Sequence, residues 1–143
     1  VITIHVPIRL ESEANGSHGH WSLKAMRAKA ARQAVTAAFI DAGHPVHLVQ
    51  VTSKKGDKVR TCPRFACQPA LPVVVYLTRI APRQLDDDNA ARACKAARDQ
   101  VAELLGVDDR DPRITWRVEQ RRGGVGEYAL EIAIAPRGEG VPA

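Results

Sequence analysis

The chain has 143 residues, 45% of them hydrophobic and 26% charged, with a formal net charge of +5. These proportions exclude a disordered tail or a low-complexity linker and fit one domain with a real core. No apolar run approaches the ~20 residues that span a bilayer, so no membrane partner is expected.

The start, Val1 to Val6, lacks the basic-then-apolar pattern of a secretion signal. Cys62, Cys67 and Cys94 are odd in number and sparse, which fits a reducing cytosol. Joined with His44 and His47, two of them could suggest zinc, but the spacing is poor for it. The positive charge points weakly to nucleic acid or another anionic surface.

Val1 to Leu10 alternates imperfectly and is rich in Ile and Val, so it reads as a strand, with Pro7 near its end. Glu11 to His20 is a polar loop. A helix is predicted from Ser22 to Ala42, capped by Ser22 and stopped by Gly43 and Pro45. Leu23, Met26, Ala30, Ala34 and Ala37 recur at helical spacing and form its expected buried stripe. Lys24, Arg27, Lys29 and Arg32 crowd the first half, where cations oppose the helix dipole. They read either as a solvated face or as a phosphate-contacting one.

Val46 to Val51 is a second predicted strand. Residues 52–70 mix Lys, Gly, Arg, Pro and Cys without a period and read as a loop or an irregular hairpin insert, whose bases Lys54, Lys55, Lys58, Arg60 and Arg64 either touch DNA or only keep the chain soluble. Leu71 to Ile80 is the most strand-like run, expected at the centre of the sheet with both faces covered. Asn89 to Leu105 is predicted as one amphipathic helix ended by Gly106. Its apolar face carries Ala90, Ala93, Ala97, Val101 and Leu104, and its charged ridge Arg92, Lys95, Asp99 and Glu103. Ile114 to Val118 and Tyr128 to Ile134 read as a hairpin, and 137–143 as a flexible tail.

Two acidic knots stand out against this basic background. Asp86, Asp87 and Asp88 precede the second helix; Asp108, Asp109 and Asp111 follow it. Together they hold six of sixteen acidic residues, and without them 21 basic side chains face ten acidic ones. Carboxylates crowded this way raise one another's pKa unless a cation offsets them. In an extended segment Asp86 and Asp88 share a face, a hard oxygen site suited to Mg²⁺ or Mn²⁺. The plainer reading is a helix N-cap, with Asp88 capping and Asp87 favouring the dipole. For the second knot the plainer reading is a solvated turn.

The order of strand, Asp86-Asp87-Asp88-Asn89, Lys95, Asp99, Gly106, Asp108-Asp109 and Ile114 resembles the RusA family of Holliday junction resolvases. Ser12, Asn15 and Trp21 resemble that family's entry loop. The C-terminal motif covers about a third of the chain.

The resemblance implies a single α/β (α+β) domain over 1–143, with a small mixed sheet and two main helices in the order β-α-β-β-α-β-β. It also implies a homodimer that cuts four-way DNA junctions with Mg²⁺ or Mn²⁺, in a bacterial or phage-derived cytoplasmic setting. Carried over by motif position, the catalytic residues are Asp86, Asp88, Lys95 and Asp109, with Asp108 an alternative metal ligand. Arg92 stands where the family's lysine usually lies and can fill that role instead. Asn15, Lys24, Arg27, Lys29, Arg32 and Arg92 are the expected DNA contacts. A straight helix from Asn89 to Leu105 sets its ends ~25 Å apart. The knots then share a metal only if the helix bends or if two subunits each lend a carboxylate.

Overall fold

A computed structural model describes residues 1–11 and 21–138. Ser12 and Asn15 of the entry loop, and the tail beyond residue 138, lie outside the described residues. The chain is a mixed α+β domain, with strands β1 (Ile2–Val6), β2 (Val46–Thr52), β3 (Val59–Phe65), β4 (Val73–Ala81), β5 (Ile114–Arg122) and β6 (Ala129–Pro136). Its helices are α1 (Trp21–Asp41), α2 (Asp87–Ala93) and α3 (Lys95–Leu105).

Four strands form one sheet in the order β1-β6-β4-β5, and β2 and β3 form a separate hairpin. β4 runs parallel to β5 and antiparallel to β6. The run Val73–Leu77 is therefore central, as its apolar character predicts. The predicted β5–β6 hairpin is not formed, because β4 lies between those two strands. A strand apolar at nearly every position gains most from a neighbour on each side, and β4 takes both. The β5–β6 loop instead passes over the end of β4, where Gly123 N–H donates to the Ala81 carbonyl at 3.0 Å.

Register assigns the faces. Val73, Val75 and Leu77 align with Ile114, Trp116 and Val118 on one side and with Pro136, Ile134 and Ile132 on the other. Most of these residues share a buried cluster with Val35 and Phe39 of α1 and with Ala97, Val101 and Leu104 of α3. The helices thus cover this face. On the opposite face Tyr76 and Thr78 remain half-exposed, so β4 is not fully covered on both sides.

Two helix predictions need correction. The buried residues of α1 are Ala31, Val35 and Phe39, not the stripe from Leu23 to Ala37. Leu23 and Met26 are 44% and 65% exposed. Alanines surround this helix, so the period alone selects no face; the large Phe39 does. Its end is a Schellman motif: Gly43 at φ 90° closes it, with His44 N–H donating to the Phe39 carbonyl at 2.9 Å.

The second predicted helix is interrupted at Cys94, with φ −89° and ψ 0°, leaving α2 and α3. Its apolar face is buried as expected, through Ala90, Ala93, Ala97, Val101 and Leu104. Cys94 is buried too, and burial pushes its thiol up to about 11, so it stays neutral.

The 52–70 insert contains strand β3, so three strands rather than two separate the long helices. Pro63 sits within β3 opposite Leu48. A two-stranded ribbon tolerates proline because half of its N–H groups point away from the partner strand. Arg137 is not frayed: its N–H donates to the Pro72 carbonyl at 3.1 Å and its Nη2 to the Pro112 carbonyl at 2.7 Å.

Candidate functional site

Both acidic knots are anchored to β5 through alternate residues of its helix-facing side. Gln120 grips the first knot. Its Nε2 donates to the Leu85 carbonyl at 2.7 Å, and its Oε1 accepts from Leu85 N–H at 2.9 Å. The side-chain amide thus pairs with the backbone as a neighbouring strand would. Buried Arg79 supports the same turn, donating to the carbonyls of Leu10 and Arg83 at 3.0 and 2.9 Å. Its burial lowers the guanidinium pKa.

Trp116 grips the second knot, with Nε1 donating to the Asp109 carbonyl at 2.8 Å. Arg98 stacks over the Trp116 ring at 5.0 Å, and its Nε lies 3.7 Å from the Asp109 carboxylate. Trp116 and Gln120 are four residues apart, so the two anchors lie about 13 Å apart at ~3.3 Å per residue.

Removing the Gln120 amide is expected to loosen the first knot. Gln120→Ala strands a half-buried N–H and carbonyl at Leu85 and should cost about 1–3 kcal/mol. Urea unfolding gives that loss, and the Leu85 amide should exchange its hydrogen faster. Gln120→Glu keeps one bond but sets a carboxylate against the Leu85 carbonyl, so it should fall between.

At the first knot the local geometry differs from the extended one expected. Only Asp86 has extended backbone, at φ −65° and ψ 165°; Asp87 and Asp88 are already helical. Asp86, not Asp88, is the N-cap. It accepts from Asn89 N–H at 2.8 Å and from Asn89 Nδ2 at 2.9 Å. The reason is spacing: a cap carboxylate reaches the N–H three residues on, and Asn89 supplies a second donor. All three aspartates are exposed. The cap therefore uses one lone pair on each Asp86 oxygen and leaves others open.

Lys95 begins α3 and pairs with Asp99 at 3.0 Å on an exposed face. Arg92, at the end of α2, is also exposed. Lys24, Arg27 and Lys29 lie on the outer half of α1, where residues 21–30 contribute nothing fully buried. Arg32 is different. It donates to Gln100 Oε1 at 2.7 Å and to Glu103 at 2.9 Å, joining α1 to α3. Glu103 also pairs with Arg60 of β3, so the expected charged ridge is partly roofed by the hairpin.

The second knot is a turn built by its own side chains. Asp108 accepts from Arg110 N–H at 2.9 Å. That bond, one with Asp109 and the nearby Lys54 hold the Asp108 carboxyl below its ordinary range. Asp111 pairs with Arg113 at 2.8 Å, and the Arg113 side chain and N–H together lower it to about 2. Its folded pKa lies below the ordinary 3.8. Its contribution to stability is therefore complete above about pH 4 and lost as pH falls toward 2. Asp111→Asn should flatten that acid limb, read from urea midpoints at pH 5 and pH 2.5.

Asp108 and Asp109 open into a cleft of about 410 Å³ between the hairpin and the end of α3, whose other walls include Arg32, Arg60, Arg64 and Asp99. Among the described residues, no three His, Cys, Asp or Glu side chains converge as a metal-binding group. The donors at each knot are nonetheless carboxylate oxygens open to solvent, which suit a hard cation. Mg²⁺ commonly takes one or two carboxylates and completes its shell with water and phosphate.

Arg64 was singled out from sequence, among the basic residues of the 52–70 insert, whereas Gln120, Arg79, Trp116 and Arg98 were not. Only Gln120 left a signal, as a polar residue in phase with Ile114, Trp116 and Val118. No protein-family model matches this chain, and neither does any curated protein. No helix among the described residues is long and apolar enough to cross a membrane.

Proposed function

We propose that this protein is a metal-dependent endonuclease of branched DNA, acting as the RusA-type resolvases it resembles act on four-way junctions. The observation that carries this reading is the fixing of two solvent-open acidic knots along one strand, beside an arginine-bearing cleft. Such placement exceeds what a helix cap or a solvated turn requires.

Asp86 and Asp88 would hold Mg²⁺ or Mn²⁺ together with Asp109, or Asp108 in its place. The ion, when bound, supplies an activated water and neutralises phosphate charge. Lys95 would offset the charge developing on the phosphate. Its exposed pair with Asp99 is worth less than ~1 kcal/mol, so a phosphate competes for it easily. Arg92 is the alternative. Lys24, Arg27 and Lys29 hold DNA arms through phosphates, so binding weakens steeply with salt. Selectivity then comes from DNA shape more than from base contacts.

Cys94 interrupts the helix between the knots, and their anchors on β5 lie about 13 Å apart, so a single ion held within one chain would need the two loops to reach toward each other. A two-fold homodimer in which each site borrows a knot resolves this and suits paired cuts. Mixed dimers of Asp88→Asn and Asp109→Asn chains should regain activity that neither variant has alone. No regain, with both variants folded and dimeric, sinks the shared site.

A second reading is a branched-DNA binder without cleavage. The pairing of Lys95 with Asp99, three residues beyond the usual lysine position, favours it. A panel of labelled four-way junction, flap and linear duplex, with and without Mg²⁺, decides between them. Metal-dependent junction cuts support the nuclease. Tight junction binding with no cuts in Mn²⁺ supports the binder.

A further inference from the structure

We propose that Arg64 contacts a backbone phosphate of a nucleic-acid strand lying in the cleft between β3 and the end of α3. The inference rests on the branched-DNA reading above and deepens it by naming where the strand passes.

Strand alternation sets Arg60, Cys62 and Arg64 on one face of β3, and all three line the cleft. The other arginines around it and the lysine on α3 are committed. Arg32 and Arg60 share Glu103, Lys95 pairs with Asp99, and Arg98 lies by Asp109. Arg64 differs. No described carboxylate pairs with it, and its Nε is shielded from solvent with no acceptor; Arg98 Nε is shielded in the same way but lies 3.7 Å from the Asp109 carboxylate.

The α3 end does not satisfy this donor. The Ala102 and Glu103 carbonyls accept from Val107 and Gly106, and Gln68 takes the Leu104 carbonyl. Attraction to the helix dipole explains a cation here but not an orphaned donor. The guanidinium is also held in place. A Cβ at Gly106 would stand 2.9 Å from Arg64 Nε and 3.2 Å from its Cζ. The glycine thus serves two ends: it adopts φ 75° to close α3, and it admits Arg64 across the helix terminus.

The shielded Nε is out of a ligand's reach, but the Nη groups of this cleft-lining guanidinium have no described partner and match the two non-bridging oxygens of a phosphate. A strand fits better than a free oxyanion for two reasons. Asp108 and Asp109 share the cleft, and a phosphodiester with one negative charge is repelled less than inorganic phosphate. The hairpin tip also carries Lys54, Lys55 and Lys58, all exposed, which extend a cationic track from the cleft.

The test is anisotropy of a labelled four-way junction in Ca²⁺ across a salt series, using the full chain. Arg64→Gln should weaken binding about five- to tenfold and reduce the salt slope by about one. Arg64→Lys should keep the slope with a smaller loss, and Arg117→Gln on the far sheet face should bind as wild type. Thermal melts confirm folding; if the glutamine variant does not fold, a several-fold loss in folded Arg64→Lys carries the test.

Unchanged affinity and slope in a folded Arg64 variant, while wild type binds, overturns the assignment and leaves the branched-DNA reading standing. Failure of wild type to bind the junction overturns both. Arg64-dependent stabilisation by inorganic phosphate without Arg64-dependent DNA binding assigns the cleft to a free oxyanion and also overturns it. Arg64-dependent binding without cleavage supports this contact and the binder, and counts against the nuclease.

Discussion

Asp109→Asn is expected to lower metal-dependent cleavage of a four-way junction by about 10²- to 10³-fold, with little change in stability. The geometry separates the two effects. What holds the turn is the Asp109 backbone, whose carbonyl accepts from Trp116 and Arg98. Asparagine leaves that carbonyl in place. The side chain contributes a 3.7 Å contact with half-exposed Arg98, worth less than ~1 kcal/mol, and a surface hydrogen bond with Asp108 that an asparagine can still make. The charge is lost while the frame remains. Initial rates in Mg²⁺, set beside urea unfolding, measure both. Asp108→Asn is the matched comparison, because its amide oxygen can still accept from Arg110 N–H. A large loss at Asp108 with none at Asp109 would transfer the ligand role to the earlier residue.

Phe39→Ala should destabilise the protein by about 3–5 kcal/mol and lower the melting midpoint by on the order of 10 °C. Phe39 is fully buried where three parts of the fold meet. Its ring stands edge-on to Phe65 of the hairpin at 4.9 Å, and it packs into the cluster that includes the sheet. Truncation opens a cavity between α1, the hairpin and the sheet at once. Phe39→Leu refills much of it and should cost considerably less. Urea denaturation measures both. A loss under ~1 kcal/mol for the alanine variant would mean that the hairpin is not packed on the core as described.

The legibility of this chain followed the strength of local signals. The run from Val73 to Leu77 is apolar in both phases and admits little but a central strand. The alanine face from Ala90 to Leu104 was readable because charges lie opposite it. In α1, alanines on every side left the period undecided, and Leu23 and Met26 drew the expected stripe away from Phe39. Strand β3 was hidden by Pro63 and by arginines that read as loop residues. The break at Cys94 has no glycine or proline to mark it.

Pairing of β4 between β5 and β6 is a long-range choice that adjacent sequence cannot display. At the site, the acidic residues were visible as types and spacings. Their anchoring was not, because Gln120 lies 35 residues from Leu85 and Trp116 seven from Asp109, and both act through backbone atoms of the loops they hold. The identity of the N-cap was a local question that the residues left open between a cap and a metal site; Asp86 does cap, and retains lone pairs for the other role.

The most direct measurement is the rate of strand cleavage in an end-labelled four-way junction by the wild-type chain, stripped with EDTA and then titrated with Mg²⁺ or Mn²⁺. The expected result is metal-saturable cutting at symmetry-related positions in opposing strands, with linear duplex left intact. Junction strands that remain uncut at every metal concentration, under conditions where the protein binds the junction, would contradict the nuclease reading.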